Sequence, residues 1–157
     1  MSGGRRTRTR RGTVTITETS LVPQFKRRLA ELAGKEVHVG MDGDAELAMV
    51  AAVLEFGSTK MNIPSRPFVR IGKRRATALI NKLVKAGFQA IAAGNMRPDK
   101  LCRDIGETGL AKMEAAFDKM RKPALSPVYA RRKGNKKLLI DERHLRDSLT
   151  FKVVRKE

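Results

Sequence analysis

The chain has 157 residues and a formal net charge of +18, from 34 Lys+Arg against 16 Asp+Glu, an imbalance that calls for a polyanionic or acidic partner. Its length suits one domain burying roughly 70% of its unfolded surface. A single cysteine, Cys102, excludes an intramolecular disulfide, and with aromatics at 4% and no Trp the core must be built from aliphatic side chains.

Residues 1–12 hold Arg5, Arg6, Arg8, Arg10 and Arg11 with no acid and no apolar residue beyond Met1. That composition is an extended basic arm, ordered by whatever it binds. It lacks the apolar segment of a secretory signal, and no later run is apolar and long enough to cross a membrane. The remainder, 13–157, reads as a single domain. Thr13 to Thr17 alternates as a short strand with Val14 and Ile16 on one face. Ser20 then caps a helix whose Val22, Phe25, Leu29 and Leu32 recur at helical spacing, with Pro23 in the first turn and Gly34 as a left-handed stop. Glu36 to Met41 is a second strand, with Val37, Val39 and Met41 on one face. The turn Asp42-Gly43-Asp44 leads into a helix holding Leu47, Val50, Ala51 and Leu54.

From Gly57 to Pro67 the density of Gly, Pro, Ser, Thr and Asn predicts an irregular loop of about ten residues. Beyond it, Ala76, Leu79, Ile80, Leu83, Val84, Phe88 and Ile91 form the cleanest helical stripe, and that helix should carry the core until Gly94-Asn95 stops it. A further helix from about Asp99 to Met120 aligns Leu101, Ile105, Met113, Phe117 and Met120, although Gly106 and Gly109 each cost about 1 kcal/mol relative to Ala. Residues 121–137 read as a projecting loop rich in Arg131, Arg132, Lys133, Lys136 and Lys137. Leu149, Phe151 and Val153 alternate in a terminal strand. The fold class is α+β, three to four helices packed on a small, mostly antiparallel sheet.

Catalytic chemistry is hard to find. His38 and His144 lie more than a hundred positions apart with no Cys pair near either, so a zinc site lacks both ligand number and spacing. Asp42 and Asp44 open like a calcium loop, but Ala45, Glu46 and Leu47 break its pattern. No phosphate-binding glycine loop, dinucleotide fingerprint or nucleophile elbow is present. The expectation is a non-enzymatic protein without metal or cofactor. Glu55, closing an apolar helix beside Phe56-Gly57, is the one carboxylate that stands out, and its simplest role is structural, bonding a nearby Arg or a loop amide.

These residues carry a family resemblance. Val37-His38-Val39-Gly40, then Leu54-Glu55-Phe56-Gly57, then Ile63-Pro64-Ser65-Arg66-Pro67-Phe68 resembles, in order, the motifs of the tail-completion, or head-tail joining, proteins of long-tailed DNA bacteriophages. The later segment agrees, with Leu125-Ser126-Pro127, Lys133, Leu138-Leu139-Ile140-Asp141 and Leu145-Arg146-Asp147-Ser148-Leu149. Two departures stand out: the family's Thr-Gly after the Asp is Glu142-Arg143 here, and Tyr129-Ala130-Arg131 occupies a place where a Thr is common. The Arg-rich start lies outside the resemblance.

The resemblance implies a structural virion protein at the neck, a ring of identical subunits, sixfold to suit the tail tube. Its neighbours would be neck or stopper, tail-terminator and tail-tube proteins, with non-specific contact to DNA in the channel. It marks Glu55, Phe56, Gly57, Arg66, Pro67, Phe68, Asp141, Leu145 and Ser148 as loop and interface residues. The residues themselves allow a Glu55–Arg66 ion pair closing the loop, with Phe56 and Phe68 plugging the core. The alternative function is a basic nucleic-acid binder of ribosomal or chromatin-like type. Against base reading, Tyr129 is the lone aromatic within either basic stretch.

Overall fold

Apolar and polar side chains alternate from Lys35 to Met41, and this segment forms a strand whose antiparallel partner is the last strand of the chain. The computed structural model describes residues 5–9, 15–19, 22–41, 45–120 and 143–156. In chain order its elements are β1 (Arg5–Thr9), β2 (Thr15–Thr19), α1 (Val22–Ala33), β3 (Lys35–Met41), α2 (Ala45–Phe56), α3 (Phe68–Ala92), α4 (Pro98–Asp118), α5 (Arg143–Asp147) and β4 (Leu149–Arg155). The fold is α+β: helices packed on a small antiparallel sheet.

In the β3–β4 pair, Val37 faces Val153, Val39 faces Phe151 and Met41 faces Leu149. Helix α4 lies against that apolar face, and its two glycines set the distance. A Cβ added at Gly106 would fall 2.1 Å from the Phe151 ring, and one at Gly109 would fall 3.0 Å from Val39 Cγ2. The propensity cost of these glycines is thus the condition for helix and sheet to touch. On its other side α4 runs beside α3, joined to it through Gly94 at φ 84° and Pro98 in the first helical position. Buried Leu54, Phe68, Met113, Phe117, Met120, Leu145 and Leu149 form the main core cluster, with the Phe68 and Phe117 rings edge-on at 5.1 Å.

Several sequence expectations need correction. Arg5–Thr9 forms a strand paired antiparallel with Thr15–Thr19, and the strand expected at 13–17 lies two residues later. Helix α1 has no fully buried residue. Its Phe25, Leu29 and Leu32 are half-buried, Val22 is exposed, and Phe25 meets Phe88 edge-on. Gly34 is not in the left-handed region; its N–H simply donates to Ala30 O at 3.1 Å. Helix α3 begins at Phe68, eight residues before the predicted stripe. Leu83 is half-buried, and Leu79, Val84 and Phe88 are exposed, because α4 covers one side of the helix and α1 touches only a flank. The described helices number five, the extra one being α5, where Leu145 is 1% exposed. The turn 42–44 and the basic loop 121–137 lie outside the described residues.

Lys35 joins three elements. Its ammonium bonds Glu31 on α1 at 3.1 Å and Asp99 in the first turn of α4. The Asp99 hydrogen bond raises the Lys35 pKa, and the same bond lowers that of Asp99. A depressed carboxylate contributes stability above its unfolded pKa and loses it as pH falls through the folded value; a raised ammonium contributes below its unfolded pKa and loses it as pH rises through the folded value. The pair therefore acts between about pH 4 and pH 10.5. Urea melts of wild type and Asp99→Asn should differ by a constant amount near neutrality, and the gap should shrink below about pH 4. A gap unchanged at acid pH would show that the carboxylate's charge is irrelevant.

Candidate functional site: a clasp between α2 and α3

The sequence 53–68 folds back on itself because glycine and proline stand where the backbone needs them. Gly57, at φ 77°, ends α2, and its N–H donates to Val53 O at 2.7 Å. A Cβ there would lie 2.9 Å from both Ile63 O and Ser65 N, so the position admits glycine alone. Ser58 and Ile63 exchange backbone hydrogen bonds at 2.8 Å, turning 58–63 into a small hairpin with Asn62 at φ 52°. The returning strand is then stitched to the end of α2. Arg66 N–H donates to Leu54 O at 2.6 Å, and Ser65 Oγ donates to Glu55 O at 2.8 Å.

Glu55 completes the clasp, but not by the expected ion pair. Its Oε2 accepts from Val69 N–H at 2.9 Å and its Oε1 from Arg70 N–H at 3.0 Å. These are the second and third amides of α3, which starts behind Pro67, a residue with no side-chain oxygen to cap them. A carboxylate from the neighbouring helix supplies the cap, and the α3 dipole favours its charge there. The donors are helix amides, neither the loop amide nor the Arg66 guanidinium that the sequence suggested. Arg66 is 8% exposed, and its Nε has no partner among the described residues. Glu55→Ala should destabilise the protein by about 0.5–2 kcal/mol and speed amide exchange at Val69 and Arg70; unchanged exchange at both would show that the cap is idle.

Burial separates the two phenylalanines of the motif. Phe68 is 0% exposed in the core, whereas Phe56 is 81% exposed, so the expectation that both plug the core is wrong for Phe56. The reason is that α2 is apolar all round: Leu54 faces the core, while Met49 (71% exposed) and Val50 face outward with Phe56. Met61, at the hairpin tip, is also exposed. The signal was in the sequence, since Glu46 is the lone polar residue from Ala45 to Leu54.

The C-terminal motif arrives at the same place. Leu145 and Leu149 enter the cluster that holds Leu54 and Phe68, and Ser148 Oγ donates to Leu145 O at 2.8 Å to close α5. Arg146 holds that helix to the end of α4 through a two-pronged pair with Asp118 at 2.9 and 3.2 Å, which raises the Arg146 pKa. Asp141 lies outside the described residues, as do Arg10, Arg11, Arg131, Arg132, Lys133, Lys136 and Lys137. For Arg5, Arg6 and Arg8 the backbone alone is described.

A second feature is the charge of the middle of the chain. Between Glu55 and Asp99 there is no carboxylate, and nine Lys and Arg fall in that interval. Six of them are on α3. Among the described residues no group of His, Cys, Asp and Glu could hold a metal ion, and no helix is long and apolar enough to cross a membrane. Burial raises the Cys102 thiol pKa. Comparison with protein-family models, curated proteins and solved structures finds no match to this chain.

Proposed function

We propose that the chain is a structural virion protein that forms a ring at the top of a bacteriophage tail, completing the tail and joining it to the DNA-filled head. The observation that carries this reading is the meeting of the motif segments: Leu54 and Phe68 pack with Leu145 and Leu149 although the sequence sets them 77 to 95 residues apart. The resemblance thus rests on residues that act as one unit, a clasp that presents Phe56 and the outer side of α2. An exposed aromatic on a rigidly tied helix end is what a subunit interface uses as an anchor. Copies of the same chain in a sixfold ring, neck or stopper, tail-terminator and tail-tube proteins are the partners that follow from the resemblance.

Particles assembled without the protein test the reading. Filled heads beside finished but unjoined tails are the expected result in electron micrographs, and joined infectious particles would reject it. The second reading, a nucleic-acid-binding protein, is favoured by the acid-free interval 56–98.

A further inference from the structure

We infer that the solvent face of α3 is a binding surface for the phosphate backbone of a nucleic-acid duplex. The inference is independent of the neck assignment and does not involve the basic arms. Helix α3 carries Arg70, Lys73, Arg74, Arg75, Lys82 and Lys85 and no acid, and all six are exposed. None has a carboxylate within ion-pair distance among the described residues, whereas Lys35, Lys100 and Arg146 on other elements each do. The cations of this face are therefore unpaired among the described residues, and the one carboxylate at the helix start, Glu55, is held by the Val69 and Arg70 amides.

Helical geometry gathers the charge into a ridge. At 3.6 residues per turn, Arg70, Arg74 and Lys85 project within an arc of about 60°, with Lys82 about 80° from Arg74. From Arg70 to Lys85 the ridge spans about 22 Å, the rise of roughly six base pairs of a duplex. The opposite side of α3 is fixed: Gly72 and Ala76 are buried, and a Cβ on Gly72 would lie 2.6 Å from Met113 Cα. The cations are thus held on a stiff rod.

The chemistry within the arc selects the partner. Between the cations lie Ala78 and Asn81, while the exposed apolar Leu79 and Val84 sit on the flanks; Phe88 projects in line with Arg70 but lies beyond Lys85, with its ring edge-on against Phe25 at 6.2 Å. A protein interface needs an apolar centre, which the arc lacks between Arg70 and Lys85. Single strands are held by aromatic stacking, and no aromatic lies on the helix between Arg70 and Lys85; the Phe88 ring beyond them is already engaged by Phe25. Phosphates need cations alone, and Arg and Lys spaced along a rod supply them.

The test uses the full chain and a short fluorescein-labelled DNA duplex, with affinity measured by anisotropy between about 50 and 200 mM salt. The variant Arg74→Gln/Lys82→Gln/Lys85→Gln is compared with Lys26→Gln/Arg27→Gln/Lys60→Gln, which removes the same charge from exposed positions elsewhere, and circular dichroism confirms that both are folded. The α3 variant should lower the slope of log K against log salt by about 2.7, at about 0.9 per phosphate contact, and the control should lower it far less. Equal effects in the two variants would reduce the ridge to a share of diffuse charge and overturn the inference. So would tighter binding of the matching single strand, or an α3 variant that keeps its DNA affinity and loses self-association, since that would assign the face to an acidic protein surface. Comparable binding of an RNA duplex would support recognition of phosphate in general, and a preference for DNA would support a B-form fit.

Discussion

Phe68→Ala should cost about 3–5 kcal/mol of stability, while Phe56→Ala, twelve residues earlier, should leave stability within about 0.5 kcal/mol. Phe68 is 0% exposed and packs edge-on against Phe117 at 5.1 Å, so its truncation opens a cavity among Leu54, Met113 and Leu145. Phe56 is 81% exposed and leaves no cavity. With typical domains stable by about 5–15 kcal/mol, the first variant should approach unfolding at ambient temperature. The second should fold normally and fail to assemble, because an exposed aromatic of this size gains its energy only when a partner covers it. Urea melts read the stabilities and analytical ultracentrifugation reads assembly. Equal destabilisation by the two variants would mean that Phe56 is a core residue; normal assembly of Phe56→Ala would remove the α2 face from the proposed subunit contact.

Gly72→Ala should destabilise by about 1–3 kcal/mol even though Ala is the better helix former by about 1 kcal/mol. The new methyl would sit 2.6 Å from Met113 Cα and 3.1 Å from Met113 N, and backbone cannot rotate out of the way as a side-chain tip can. Helices α3 and α4 would have to separate along their contact, loosening the Phe68–Phe117 pair at one end. Gly40→Ala is the matched control: its Cβ meets nothing within 4 Å, so the lost freedom of the unfolded chain should leave stability unchanged or slightly raised. Thermal melts of both variants decide the point. A stabilised Gly72→Ala would show that the two helices can accommodate a methyl without moving.

The α+β class and most element positions were legible in the residues because they depend on local pattern. Alternation from Lys35 to Met41 made a strand, the apolar repeat beyond Pro98 made a long helix, and Gly57 and Gly94 marked backbone turns that both take positive φ. The start of α3 was not legible. Its first turn, Phe68-Val69-Arg70-Ile71, is cut off from the later apolar stripe by Gly72-Lys73-Arg74-Arg75, and its cap comes from Glu55 on another helix. The clasp was half legible: Gly57, Arg66, Pro67 and Phe68 were recognised as a unit, but the Glu55 partner was misassigned because a helix amide and an Arg are equally good donors until their positions are known.

By itself, the sequence determined the kinds of elements, the sharp turn at Gly57, the aliphatic core and the large positive charge, since each follows from residue chemistry or from neighbours along the chain. Only the tertiary structure decided which side of the all-apolar α2 is covered, leaving Phe56 out and Leu54 in. It also decided that Gly72, Gly106 and Gly109 are contact points and that the exposed cations of α3 have no carboxylate partner among the described residues. Burial, capping and close approach are properties of pairs of elements, and the distance between two elements is set by their joint packing, which no local pattern in either one contains.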